Sequence, residues 1–207
     1  KQLNLLNSRL LAVHMVHVNA EDLELINNTG THIIHSPESN LKLGSGIAPI
    51  SKLHDSGFNI ALGTDGAASN NDLDMWEEMR LASFLQKIDK MDPEALPATA
   101  VLKMATSGGA EAIGLRDSVG ALEIGMRADV IQVEFDDVHF VPTYDVISHL
   151  VFVADEQDVA SVTVDGRLLM RDGKFFTLDT ERIKREASEL AARIQSALAM
   201  RNQSTEE

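Results

Sequence analysis

The chain has 207 residues, 44% of them apolar, so it can build a substantial core as one domain or two small ones. Its 18 basic and 32 acidic residues give a formal net charge of −14, which opposes binding to nucleic acid and to anionic lipid. No apolar run reaches the ~20 residues of a bilayer span, and the absence of cysteine excludes disulfides, thiolate metal sites and a cysteine nucleophile. We expect a soluble, cytoplasmic protein without nucleic acid or membrane partners, in which nitrogen and oxygen atoms bind any metal.

Three short apolar runs in the first third of the chain have the composition of buried strands. They are LLAVHM at 10–15, THIIH at 31–35 and NIALGT at 59–64. Between the first two, Asn19 and Asp22 have the spacing of a helix capping box. Further helices are predicted at 49–54 and 72–90. The order β-α-β-α-β-α predicts parallel strands joined by right-handed crossovers.

The pattern of polar and apolar residues changes in the second half of the sequence. After two helices predicted between residues 97 and 113, the chain alternates polar and apolar residues from position 120. Asp-Gly turn signals stand at 165–166 and 172–173, which predicts a small antiparallel β unit. A last amphipathic helix is expected from Thr180.

Three polar side chains stand at the carboxyl ends of the predicted strands: His14, His35 and Asp65. Because these ends share one mouth in a parallel β/α arrangement, we expect the three side chains to converge. A carboxylate that binds a cation and an imidazole beside a bound water would suit zinc-type hydrolysis. Each residue also has a simpler interpretation, as a hydrogen-bonded core histidine or a capping aspartate.

Other polar clusters give weaker signals. The acidic group Asp72, Asp74, Glu77 and Glu78 is interpreted as the solvated first turn of a helix, where the helix dipole favours negative charge. The glycines do not form a phosphate-binding loop between a strand and a helix.

Several segments together carry a family resemblance that nearly the whole chain supports. HSPESNLKLGSGIAPI at 35–50, GTDGAASNNDLDMWEEMRLAS at 63–83 and VGALEIGMRADVIQVE at 119–134 occur in this order. The chain thereby resembles the carboxyl-terminal part of the metal-dependent amidohydrolases. Within that superfamily it is most similar to the 5-methylthioadenosine/S-adenosylhomocysteine deaminases, in the group that includes triazine hydrolases and guanine deaminases.

The resemblance implies an α/β fold, the carboxyl-terminal part of a (β/α)8 TIM-type barrel with a small β-sandwich. The three predicted strands would be barrel strands six to eight. Residues 1–115 would form the barrel portion, 116–178 the sandwich portion and 179–207 a carboxyl-terminal helix and tail.

The resemblance also implies roles for single residues. Asp65 matches the aspartate that ligates the divalent metal, most commonly Zn2+, and takes a proton from the attacking water. His14 matches the strand-six histidine that stabilises the developing tetrahedral adduct. His35, Ser39 and Asn40 match a strand-seven segment at the active-site mouth and are expected to bind the small-molecule substrate.

The departure from the family pattern is large. The family's His-x-His pair on strand one, its metal histidine on strand five and the proton-shuttling glutamate after it cannot be placed in the chain. Catalytic zinc sites use three or more protein ligands, so we expect this chain to be inactive alone and to need a missing amino-terminal half. The family likeness also implies a homo-oligomer.

The function expected of the complete protein is metal-dependent hydrolytic deamination of an adenine nucleoside of the 5-methylthioadenosine/S-adenosylhomocysteine type. Two alternatives stay open. One is hydrolysis of a guanine or triazine-like ring with the same metal chemistry, and the other is a non-catalytic amidohydrolase-like scaffold.

Overall fold

The computed structural model describes residues 3–203, with side chains to residue 201. Residues 1–2 of the predicted barrel portion and residues 204–207 of the predicted carboxyl-terminal tail lie outside the described residues. The first described residues form turns up to Leu10, which precedes the first strand.

A parallel sheet forms in the first third of the chain, as predicted. Its strands are β1 (Leu11–Val13), β2 (His32–His35) and β3 (Ile60–Leu62) in the order β1-β2-β3. Each strand is shorter than its apolar run. The connecting helices make the strands parallel, because only a crossover returns the chain to the same end of the sheet.

Helices cover one face of this sheet and continue beyond it. They are α1 (Ala20–Asn27), α2 (Pro37–Lys42), α3 (Ile50–Asp55), α4 (Met75–Lys90), α5 (Ala98–Ala105) and α6 (Ser107–Ala112). The capping box of α1 is present, since the Asn19 side chain accepts from the Asp22 N–H and the Asp22 side chain from the Asn19 N–H. Helix α2 was not predicted; Pro37 at its start has the fixed φ that a first helical turn accepts.

The hydrophobic core lies between the sheet and the helices. Ile33, Ile60 and Leu62 point from the strands into a buried cluster that α1, α3, α4 and α5 complete. Helix α6 approaches β3 closely, because a Cβ placed on Gly108 would lie 2.5 Å from the Ile60 carbonyl oxygen. This position therefore requires glycine for contact between helix and strand.

Helix α4 buries three polar side chains, Glu78, Ser83 and Gln86. Ser83 donates to the Leu96 carbonyl, and Gln86 accepts from the Ser51 N–H and donates to the Ala48 carbonyl. Glu78 is 0% exposed, so the interpretation of its acidic cluster as a wholly solvated turn is wrong for this residue. Ile88, near the end of the same helix, is 68% exposed.

The later part of the chain forms the expected antiparallel sheet. Its strands are β4 (Val130–Val133), β5 (Val159–Val164), β6 (Arg167–Arg171) and β7 (Lys174–Phe175), in this order. An additional helix, α7 (Val146–Phe152), lies between β4 and β5 and places Val151 in the core described above. The last helix, α8 (Thr180–Gln203), follows the second sheet. Among the described helices, none has the length and apolar character needed to cross a membrane.

Candidate active site

His14 and Asp65 meet at the carboxyl end of the parallel sheet. His14 directly follows β1 and Asp65 lies three residues after β3. The His14 Nε2 atom is 3.8 Å from Asp65 Oδ2, and the two side chains are 41% and 34% exposed. Of the three side chains predicted to converge, His14 and Asp65 lie beside each other, and both groups remain accessible from solvent.

The backbone at both residues is in the left-handed region. The φ angles are 70° at His14 and 60° at Asp65. His and Asp are among the residues that tolerate this conformation best, and such strained positions concentrate at functional sites. The His14 N–H still donates to the Ile34 carbonyl at 2.9 Å, so the neighbouring strand fixes the residue as the ladder ends.

Helix α2 supplies the partners of both side chains. The Ser39 hydroxyl donates to Asp65 Oδ2 at 2.8 Å, and His14 Nδ1 lies 2.9 Å from Asn40 Oδ1. Ser39 is 0% exposed and Asn40 2% exposed. The structure thus brings these two residues to the site, where they contact the catalytic candidates. Their contact with a substrate stays a prediction.

The Asp65 carboxylate is held in its ionised form. The Ser39 hydroxyl, and also the Gly66 N–H that donates to Oδ1 at 2.8 Å, lower the pKa of Asp65 below its usual value. The Ser69 side chain lowers this pKa as well, so three donors favour the ionised carboxylate. The group can therefore serve as a metal ligand or proton acceptor at neutral pH.

His35 has a different environment from the other predicted site residues. Strand alternation places it on the same face as Ile33, which the helices cover, and it is 1% exposed. Neither ring nitrogen has a hydrogen-bond partner in the described part of the chain. Burial first, and the nearby His14 second, lower the pKa of His35 to about 3, so the ring is neutral at physiological pH. Its predicted role in substrate binding is not tested by this placement.

Two residues behind the site were not among those predicted. Glu78 accepts from the Asn70 side-chain amide at 2.8 Å, and both side chains are fully buried. A sequence signal for Glu78 exists, because it stands four and eight residues before Ala82 and Gln86 on one helical face. That face is the buried one.

The donor set fits part of a zinc site. Asp65 offers a carboxylate and His14 an imidazole nitrogen beside it, which are ligand types that zinc accepts. In the described residues, the one cluster of three side chains close enough to share a cation is Glu38, Asp72 and Glu77, which includes neither. A catalytic zinc bound at Asp65 would therefore need further ligands from elsewhere.

Comparisons with known proteins match most of this chain to one family. Residues 1–169 match the model of the amidohydrolase family. The 5-methylthioadenosine/S-adenosylhomocysteine deaminase of Syntrophobacter fumaroxidans is 45% identical over 194 residues, which cover 94% of this chain and 44% of that protein. The chain thus spans less than half the length of this relative.

Solved structures show the same relationship. An adenosine deaminase from Xanthomonas campestris with bound zinc superposes with a TM-score of 0.91 at 38% identity, over 94% of this chain and 44% of that one. An atrazine chlorohydrolase from Arthrobacter aurescens complexed with zinc gives 0.81 at 31% identity, over 89% and 41%. With a mixed α/β architecture, a family match over most of its length and these structural neighbours, the chain belongs to the amidohydrolase family.

Proposed function

We propose that the complete polypeptide hydrolytically deaminates an adenine nucleoside of the 5-methylthioadenosine/S-adenosylhomocysteine type. The observation that carries this proposal is the pairing of His14 with an ionised Asp65 at the sheet's carboxyl end. The similarity to a deaminase of this name supports the substrate class. In this proposal β1, β2 and β3 are barrel strands six to eight, within a barrel portion 1–115 followed by a sandwich portion 116–178 and a helix and tail 179–207.

The proposed chemistry divides between the two site residues. Zinc, when bound, supplies Lewis acidity that lowers the pKa of a water molecule. Asp65 would be one of its ligands and would accept the proton that the attacking water loses. His14 directs Nε2 toward the same space and would hold that water and stabilise charge on the tetrahedral adduct at the ring carbon.

The remaining metal ligands belong, in this proposal, to residues outside the 207. A chain that contributes one carboxylate ligand does not retain catalytic zinc against water. We therefore expect the 207-residue chain alone to be inactive and to lack stoichiometric zinc.

A second candidate function keeps the metal chemistry and changes the ring. The similarity to a zinc-bound atrazine chlorohydrolase favours hydrolysis of a triazine-like ring as this alternative. Both functions use Asp65 and His14 in the same roles, so substrate turnover has to distinguish them.

The test measures product release by the full-length polypeptide with zinc. Ammonia release is compared for 5-methylthioadenosine, S-adenosylhomocysteine, adenosine and guanine, and chloride release for a chlorinated triazine. The proposal expects kcat/KM to be highest for one of the adenine nucleosides. Faster turnover of the triazine would replace it by the second candidate, and faster turnover of guanine would assign a guanine ring instead. Zinc binding without any turnover would favour a non-catalytic scaffold.

A further inference from the structure

A buried carboxylate on α4 joins the two segments that carry the site residues. Glu78 Oε1 accepts from the Asn70 side-chain amide at 2.8 Å, and Oε2 accepts from the Glu38 backbone N–H at 3.3 Å. Glu78 and Asn70 are both 0% exposed. Two donors from different segments therefore share one acceptor group that solvent does not reach.

Each donor leads directly to a site residue. Glu38 is followed in α2 by Ser39, whose hydroxyl binds Asp65 Oδ2. The Asn70 backbone N–H donates to the Gly66 carbonyl at 3.0 Å, and the Gly66 N–H binds Asp65 Oδ1. The contacts thus close a ring that begins and ends at Glu78 and includes both oxygens of the Asp65 carboxylate.

We propose that Glu78 is a positioning residue that fixes Ser39 and Asp65 relative to each other by accepting these two hydrogen bonds. The inference rests on the proposed function, because it assigns Glu78 to the support of the proposed zinc ligand. Residues that orient metal ligands typically contribute to metal affinity as well as to turnover.

A carboxylate is suited to this position and its nearest isostere is not. An ionised carboxylate offers two acceptor oxygens, whereas glutamine would present an amide N–H2 to one of the two donors. Burying a carboxyl group is unfavourable without partners, which argues against a merely space-filling role. The charged groups that face Glu78 are Glu38 on α2 and Asp72 in the loop before α4.

The surroundings of Glu78 also set the pH above which its carboxylate can accept both hydrogen bonds. Burial first, and then Glu38 and Asp72, raise the pKa of Glu78 to about 7, although the hydrogen bonds from the Glu38 N–H and the Asn70 amide act in the opposite direction. Above this pH both oxygens are acceptors. Below it, one oxygen carries a proton, so one of the two hydrogen bonds is weakened.

The test uses the full-length polypeptide with Glu78→Gln, and Glu24→Gln as matched control. Glu24 lies exposed on α1, and its substitution removes the same charge. Zinc affinity of the metal-free protein is measured by chelator competition, and kcat, KM and the pH profile of kcat are measured with the best substrate. We expect Glu78→Gln to lose roughly 10- to 100-fold in zinc affinity or kcat, with KM unchanged. The decrease of kcat below about pH 7 that Glu78 causes should be absent from this variant.

Other results would overturn the positioning role of Glu78 or reject the proposed function. A folded Glu78→Gln protein with wild-type zinc affinity and an unchanged pH profile overturns the proposal. If the parent protein deaminates nothing but Glu78→Gln binds zinc more weakly than the parent, the positioning role stands and the proposed function is rejected. If Glu78→Gln does not fold, the same zinc and kcat measurements are made on Asn70→Ala, which removes one of the two donors. If neither variant folds, the contact is only structural and the proposal is overturned.

Discussion

The side-chain oxygen of Asn40 lies 2.9 Å from Nδ1 of His14, a residue 26 positions earlier in the chain. In this arrangement the Nδ1–H of His14 donates to the amide, which leaves Nε2 free on the side of Asp65. Asn40 therefore fixes both the ring orientation and the tautomer of His14. A residue that sequence resemblance assigns to substrate binding thus contacts the catalytic candidate itself.

Removal of the Asn40 amide should affect turnover more than binding. In the full-length polypeptide with the proposed activity, we expect Asn40→Ala to lower kcat by about 10- to 100-fold with little change in KM, because the His14 ring loses its acceptor. Asn40→Asp keeps an acceptor oxygen beside the ring, so it should retain more of kcat than Asn40→Ala. Steady-state kinetics over pH test both variants. Asn27→Ala, at an exposed position at the end of α1, is the control. A rise in KM alone would instead assign Asn40 to substrate contact.

Loss of the Asp65 charge should abolish the proposed chemistry without removing the fold. Asparagine tolerates the φ of 60° at this position and keeps the size of the side chain, so Asp65→Asn is the suitable change. We expect kcat to fall by roughly 10²- to 10⁴-fold and zinc content to fall with it. The far-UV circular dichroism spectrum and melting temperature should stay near those of the parent. Undiminished turnover by this variant would exclude Asp65 as ligand and proton acceptor.

Adjacent glycines in α6 should respond differently to the same substitution. A Cβ on Gly108 would meet the Ile60 carbonyl oxygen at 2.5 Å, whereas the nearest atom to a Cβ on Gly109 is 3.8 Å away. We expect Gly108→Ala to destabilise the protein by about 1–3 kcal/mol, because α6 must move away from β3. Gly109→Ala should be neutral or stabilising by up to about 1 kcal/mol through helix propensity. Chemical denaturation of both variants measures the difference, and equal effects would contradict the proposed close contact.

Local rules were sufficient for much of the fold. Apolar runs located all three parallel strands, and the spacing of Asn19 and Asp22 identified the start of α1. The convergence of His14 and Asp65 followed from one topological rule, that parallel strands end at a common edge. These features depend on short stretches of sequence or on chain order alone.

Features that depend on packing between distant segments were not predictable in the same way. In the sequence, Glu78 looks like any solvated carboxylate, because the contacts with α2 and Asn70 that bury it exist only in the folded chain. His35 stands at a strand end like His14. Because side chains alternate between the two faces of a strand, it lies on the face that the helices cover and is buried. The short helix α2, which carries Ser39 and Asn40, has too few residues to show a helical period.

His35 should make the fold sensitive to acid. Its pKa is lowered from 6.5 to about 3 in the folded state, so between these pH values the unfolded chain binds a proton that the folded chain does not. Stability is therefore complete above pH 6.5 and decreases as the pH falls toward 3, by about 3 kcal/mol at pH 4.5. We expect His35→Met, which cannot take up the proton, to lose less stability between pH 7 and 4.5 than the parent. Urea denaturation without added zinc measures this change, and His17→Met controls for loss of an exposed imidazole. Equal loss of stability in the parent and in His35→Met would show that acid acts at other groups.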